Sequence, residues 1–242
     1  MPQVTTGVVA VSTPTYRDTW DANWVMAGPD AGPEAVFTAL ERHFAGGWQV
    51  VHVDCLTAPA VEAALALAGF TAEGTLIEMR ARAVIATRPP PAFDMRRVGA
   101  PEWERFAQLV GIDQREGRRT GEHDGAVGAG LLDGMRRRLD LCDFWLLTQN
   151  GMDLGYGMTA ACPNGLGLIE SLFTLPEHRG RGLMSGFIVH AAAALKAQGC
   201  DAAFLDAHAH DTPKRLYARL GFAPVALTRT WVRDSSPLQR KD

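Results

Sequence analysis

The stretch from Ile169 to Ser185 constrains this chain more than any other. An apolar run, Leu166–Leu175, reaches Pro176 and then a turn in which Gly180 and Gly182 flank Arg181. From Gly182 to Gln198 the spacing predicts a helix with Leu183, Phe187, Ala191, Ala194 and Leu195 on its buried face. A strand that passes through a double-glycine turn straight into a helix requires mixed α and β structure. It also has chemical consequences. The first turn of a helix leaves backbone N–H groups unpaired and carries a partial positive charge. Glycines let an anion approach that backbone, and Arg179 and Arg181 add formal charge. On this physics the segment binds a phosphate-bearing ligand, or is a plain strand-to-helix turn with exposed arginines. Two other phosphate loops are excluded. No Lys-Ser or Lys-Thr follows the glycines, and Gly186 falls one residue late for the dinucleotide pattern.

Around this segment the chain divides. Pro89, Pro90 and Pro91 cannot continue a helix or a central strand, so they mark a linker between residues 1–90 and 91–242. The two parts share a weak repeat. Strand 50–54, helix 59–68, Gly69-Phe70 and strand 76–81 are matched by strand 203–206, helix 214–220, Gly221-Phe222 and strand 225–232. The spacing from Asp54 to Gly69 equals that from Asp206 to Gly221. In each case glycine is expected to stop the helix and Phe to start the return into the core. Elsewhere in the second part, Met95–Val98 reads as a strand, and Pro101–Val110 as a helix with Trp103, Phe106, Ala107 and Val110 on one face. Gly111–Gly130 reads as a loop because of its glycines and charge, and Leu131–Leu139 as a helix. Phe144–Thr148 and Leu154–Ala161 form a hairpin turning at Asn150-Gly151.

Composition narrows the function classes. With 242 residues, 47% hydrophobic and 21% charged, this is ordinary globular chain. A formal charge of -3 gives no sign of nucleic acid as main partner. The arginines within Arg115–Arg119 and Arg136–Arg138 read as solvated faces, or as groups that draw in an anionic substrate. Cys55, Cys142, Cys162 and Cys200 have no paired spacing, so isolated buried thiols in a reducing cytoplasm are expected. No signal peptide is visible, and His190 and Lys196 interrupt the longest apolar helix too early for a membrane span.

The glycine segment and a second motif downstream together resemble the GNAT superfamily of N-acetyltransferases. The family's coenzyme A loop has Arg or Gln, two residues, Gly, one residue, then a small residue. Arg179-x-x-Gly182-x-Met184 matches it except at the last position, where Met184 stands. Tyr217, three residues, then Gly221-Phe222 resembles the family's second segment. The resemblance covers about residues 94–234. It implies an α/β (α+β type) acyl-CoA N-acyltransferase fold, a mixed and mostly antiparallel sheet with flanking helices, in two related modules. It implies acetyl-CoA as co-substrate, no metal, and a small-molecule or peptide amine as acceptor. By the same resemblance, Leu172, Phe173 and Thr174 pair with the pantetheine arm. Arg179, Gly180, Arg181, Gly182, Leu183, Met184 and Ser185 cradle the pyrophosphate. Tyr217 protonates the departing thiolate, and Glu170 acts as base directly or through water.

Other readings stay open at this point. Tyr217 also reads as a core aromatic and Glu170 as a solvated strand residue. Where the family often has Asn seven residues before the tyrosine, this chain has His210. Asp206, His208 and His210 share a face at period two and could hold a metal, but too little chain follows them for the barrels that use such a motif; they could instead line an acceptor pocket or end a strand at the surface. The first part has no Arg-x-x-Gly loop, and Leu65 stands where the second has Tyr217, so it reads as a degenerate module that shapes the acceptor site or completes an internal pseudo-dimer. A monomer of that kind or a homodimer is expected. The aromatic stretch Trp20–Trp24 reads as core. A non-catalytic protein holding acyl-CoA as sensor or scaffold is the rival function.

Overall fold

A computed structural model describes residues 2–5, 7–16, 22–44, 47–85, 91–117 and 125–234. Pro89 and Pro90 of the expected linker, Trp20, Arg118 and Arg119 lie outside them. In chain order the elements are β1 (Gln3–Thr5), β2 (Val8–Val11), β3 (Trp24–Ala27), α1 (Pro33–His43), β4 (Trp48–Asp54), α2 (Pro59–Leu67), β5 (Thr71–Ala81), β6 (Asp94–Arg97), α3 (Trp103–Gly117), α4 (Gly125–Arg137), β7 (Asp143–Gln149), β8 (Met152–Ala161), β9 (Leu166–Thr174), α5 (Leu183–Ala197), β10 (Ala202–His208), α6 (Pro213–Arg219) and β11 (Ala223–Asp234). They gather into two compact units. Described residues of 1–77, 208–210 and 226–234 form the first, and those of 78–207 and 211–225 the second.

In the first unit β1, β2 and β3 run antiparallel in succession, β3 pairs parallel with β4, and β11 closes on β4 antiparallel. The parallel pair requires a crossover, which α1 supplies. Pro33 pre-sets the first turn of α1, where its missing N–H costs nothing. Val36, Ala39 and Leu40 of α1 and Val61 and Leu65 of α2 pack on Val25, Ala27, Val51 and Val53 of the sheet.

Strand β11 is the chain's last described element, yet its partner is β4, with Thr228 to Asp234 facing Asp54 to Trp48. Side chains reinforce the ladder. Arg229 and Trp231 both reach Glu62 of α2. Arg233 donates through Nε and Nη2 to Gln49 Oε1 (3.1 and 2.7 Å) and through Nη1 to the Ala68 carbonyl (2.7 Å), with its guanidinium 4.5 Å from the Phe70 ring centre. The helices α2 and α6 end alike. Gly69 (φ 83°) and Gly221 (φ 94°) occupy left-handed backbone that only glycine takes at no cost. Phe70 N–H donates to the Leu65 carbonyl and Phe222 N–H to the Tyr217 carbonyl, both at 3.0 Å. These are the reciprocal C-terminal bonds the repeated Gly-Phe pairs lead one to expect.

The second unit is a sheet in the order β10-β9-β8-β7-β6, with only the β9–β10 pair parallel. Asn150 (φ 51°) and Gly151 (φ 78°) make the two-residue turn between β7 and β8. One face carries α3 and α4 over a core of Phe106, Phe144, Tyr156, Met158 and Phe173. In three places the structure corrects the sequence reading. The expected loop 111–130 is largely helix, because Leu109, Val110 and Ile112 continue the apolar face of α3, and Leu131, Leu132 and Met135 anchor α4. Such burial, roughly 1.5–3 kcal/mol per large side chain, outweighs about 1 kcal/mol for each helical glycine. Ala194 is exposed, and Gly186 and Ile188 complete the buried face of α5 instead. Cys55 is exposed rather than buried.

The β11 closure generates a prediction. Arg233→Ala leaves the Oε1 of Gln49, a residue only 5% exposed, without this partner. Denaturant unfolding of the variant is expected to show a loss of about 1–3 kcal/mol.

Candidate active site

Strand β9 begins as an ordinary member of its sheet. Leu166, Gly167 and Leu168 pair with Ala202, Ala203 and Phe204 of β10, and the paired register ends there. Both strands continue, to Thr174 and His208, so beyond Leu168 they diverge. On its other edge β9 stays paired with β8, but the register shifts. Met158 faces Glu170 while Tyr156 faces Phe173, so Ser171 and Leu172 together oppose Gly157. This is a β-bulge, with Ser171 at φ 54°. The extra residue inverts the faces. Leu168 and Phe173, five residues apart, lie in the same core, which an unbroken strand of period two does not permit. At Gly155, opposite Thr174, a Cβ would lie 2.2 Å from the Phe173 carbonyl oxygen, so the backbones pass where no side chain fits.

Past Thr174 the chain makes one short turn at Pro176–His178 and enters the glycine pair. Gly180 (φ 74°) and Gly182 (φ 84°) are both left-handed, and Gly182 caps α5 with no side-chain hydrogen bond to the first turn. The first backbone bond of the helix is Gly186 N–H to the Gly182 carbonyl (2.9 Å). The N–H groups of Leu183, Met184 and Ser185 therefore stand at a helix start that no side chain caps, with its positive pole toward them. Leu183 is buried, while Met184 and Ser185 are half-buried. Nothing lies within 4 Å of the position a Cβ would take on Gly180. The turn is open on that side.

The two arginines differ. Arg179 places Nη1 and Nη2 2.6 Å from the two carboxylate oxygens of Glu116 on α3, and its Nε donates to the Thr174 carbonyl at 2.9 Å. Arg181 lies exposed, 3.5 Å from a ring nitrogen of His178.

Leu172, Phe173 and Thr174 thus lead without interruption through the turn to Ser185. Glu170 stands just before the bulge, exposed, on the face toward α3 and α4, and its charge adds to burial in raising the Cys142 thiol pKa. Tyr217 stands on a separate element, α6, only 6% exposed and 6.3 Å from the Phe222 ring. Burial first, then Asp206 and Asp211, push its hydroxyl up to about 12. His208 and His210 are exposed, with ring centres 5.5 Å apart, and among the described residues no group of three or more His, Cys, Asp and Glu could hold a metal ion.

Sequence reasoning missed Asp113 and Glu116. They lie one turn apart on α3, in the segment read as loop. Asp113 accepts a hydrogen bond from the Tyr156 hydroxyl; burial holds its carboxyl above the usual range, with Tyr156 acting the other way. The spacing of three residues on a helix face was the available signal.

Gly155→Ala is expected to force β8 and β9 apart at Thr174. Thermal unfolding should fall by several degrees, matching a cost of about 1–3 kcal/mol.

Residues 140–224, from the start of the hairpin to the beginning of β11, match the model of the acetyltransferase (GNAT) domain. No curated protein matches the sequence. Among solved structures, a functionally unknown conserved protein from Staphylococcus epidermidis superposes with a TM-score of 0.72 at 11% identity, over 96% of this chain and 92% of its own. A GCN5-related N-acetyltransferase from Kribbella flavida gives 0.65 at 19% identity, over 99% and 91%. A tandem GNAT protein from the clavulanic acid biosynthesis pathway gives 0.55 at 14%, over 85% and 69%. At these identities the superpositions speak for the fold, and the domain match speaks for the strand, loop and helix just described. The chain carries a GNAT acetyltransferase domain at residues 140–224, on the fold of GNAT proteins.

Proposed function

We propose that this chain transfers an acetyl group from acetyl-CoA to an amine, small molecule or peptide, by direct attack in a ternary complex. One observation carries the reading: β9 parts from β10 after Leu168 and runs on, through one short turn, into an uncapped, glycine-flanked helix start. Backbone groups on the open edge of β9 need partners, and an extended amide-bearing chain supplies them as an added strand would. The pantetheine arm of acetyl-CoA is such a chain, and Leu172 to Thr174 are the residues that would pair with it. Its pyrophosphate would then meet the N–H groups of Gly182 to Ser185, for which Gly180 and Gly182 keep the approach free of Cβ atoms.

The donor supplies a thioester, and the protein has three tasks. A free amine near pH 7 is mostly protonated, so a base must take its proton; Glu170 stands on the same strand and can act directly or through water. A backbone N–H of the splayed strand can donate to the oxyanion. Tyr217 serves the departing sulfur. With its hydroxyl at about 12 it stays neutral across the working range, while a thiol ionises near 8.5. Tyr217 therefore donates a hydrogen bond to the leaving thiolate more readily than it gives up its proton.

The first unit lacks these features. Its parallel pair stays in register from Val25–Val51 to Ala27–Val53, and the Thr57 hydroxyl then donates to the Ala27 carbonyl. The turn after β3 carries Asp30, and the first turn of α1 carries Glu34, in place of arginines. We take it as a degenerate module that binds no coenzyme A and that shapes or stabilises the second, in a monomer or a homodimer. Four free cysteines fit a cytoplasmic setting. Among the described residues no helix is long and apolar enough to cross a membrane.

The test is thioester cleavage with a panel of amines. Tyr217→Phe and Glu170→Gln should each lower kcat by about tenfold or more with the KM for acetyl-CoA unchanged. The rate should rise with pH as the amine loses its proton, with no falling limb from Tyr217 below its raised pKa. Calorimetry should give one coenzyme A per chain. Tight binding with no amine-dependent cleavage would instead identify an acyl-CoA sensor or scaffold.

A further inference from the structure

The arginine that opens the Arg-x-x-Gly segment is read from sequence as a cation for phosphate, and the structure gives it other work. Both terminal nitrogens of Arg179 meet both oxygens of Glu116 at 2.6 Å, the parallel two-bond geometry that fixes orientation as well as charge. Its Nε is taken by the Thr174 carbonyl at 2.9 Å, and its guanidinium carbon lies 5.9 Å from the centre of the Phe173 ring. Three nitrogens therefore point at α3 and at the end of β9. Glu116 also offsets much of the field of Arg179 at distances well beyond their separation.

Besides the Arg105–Asp153 pair nearer its start, α3 is tied to the strand ends through Glu116. One turn earlier, Asp113 accepts from Tyr156, and Tyr156 faces Phe173 across the β8–β9 pair. The helix is thus pinned to the strand ends at two neighbouring points, on the face where Glu170 stands. Arg181 is placed differently. It sits between the two left-handed glycines, exposed, with the open side of Gly180 beside it.

We infer that Arg179 is a positioning residue that latches α3 to the end of β9 and sets the space through which the amine reaches Glu170, while Arg181 is the arginine that meets the pyrophosphate. The division rests on the acetyl-CoA reading above. It predicts that breaking the latch acts on the acceptor and leaves the donor alone.

Five full-chain variants test it: Arg179→Ala, Arg179→Lys, Glu116→Ala, the Arg179→Ala/Glu116→Ala pair, and Arg181→Ala. Coenzyme A binding is read by calorimetry between about 50 and 200 mM salt, the amine KM by steady-state kinetics, and amide hydrogen exchange over residues 103–117. Arg179→Ala, Glu116→Ala and the pair should each raise the amine KM, about fivefold or more, because the Arg179–Glu116 fork is lost in all three. All three should keep coenzyme A affinity within about twofold and speed exchange in α3. Arg179→Lys keeps the charge without the fork, so it should behave like Arg179→Ala. Arg181→Ala should weaken coenzyme A by about tenfold and flatten its salt dependence. The inference is overturned if Arg179→Ala weakens coenzyme A as much as Arg181→Ala does, if Arg179→Lys restores that affinity, or if Glu116→Ala tightens it. If wild-type protein binds no coenzyme A, the acetyl-CoA reading fails by itself. The exchange arm then still decides the latch, which unchanged α3 protection in Arg179→Ala would refute.

Discussion

The architecture of the candidate site depends on where the pairing of two parallel strands stops. Strand β9 holds β10 for three residues and then leaves it, while keeping β8 through a one-residue bulge at Ser171. Backbone N–H and C=O groups on a strand edge need partners, so such a gap persists where water or a ligand supplies them. Around it the structure holds firm. Phe173 is locked among Tyr156 and the α3–α4 core, and Gly155 allows the strands to pass at backbone contact distance. The opening is therefore a feature of a rigid frame, and the helix start beyond it is aimed by the same strand.

The last strand complicates any picture of two modules in series. Its ladder with β4, the Glu62 contacts of Arg229 and Trp231, and the Arg233–Gln49 bonds all belong to the first unit. Yet α6, which carries Tyr217, and the turn at Gly221 belong to the second. Stability of the first unit therefore relies on residues that follow the site in sequence.

Much of this was legible in the sequence where local chemistry decides. The Asn150-Gly151 turn, the Gly-Phe helix ends and the strand–glycine–helix segment each name their backbone geometry through residues that alone take it at low cost. The bulge was not legible. Ser171 is an ordinary strand residue, and only the cross-strand register with Gly157 places it in left-handed backbone. The reach of α3 to Gly117 was hidden because Gly111 and a cluster of charges look like loop, whereas the packing of Leu109, Val110 and Ile112 overrides that local preference. The partner of Arg179 was hidden for the same reason, since Glu116 lies on the misread segment. Sequence singled out Arg179 through its motif. It could not show what the guanidinium touches.

The central claim is that a donor occupies the gap beside β9 and the start of α5. Amide hydrogen exchange with and without acetyl-CoA tests it most directly. The account predicts new protection confined to residues 172–174 and 182–186, with residues 25–36 of the first unit unchanged. Protection in the first unit, or none along β9 at saturating acetyl-CoA, would contradict it.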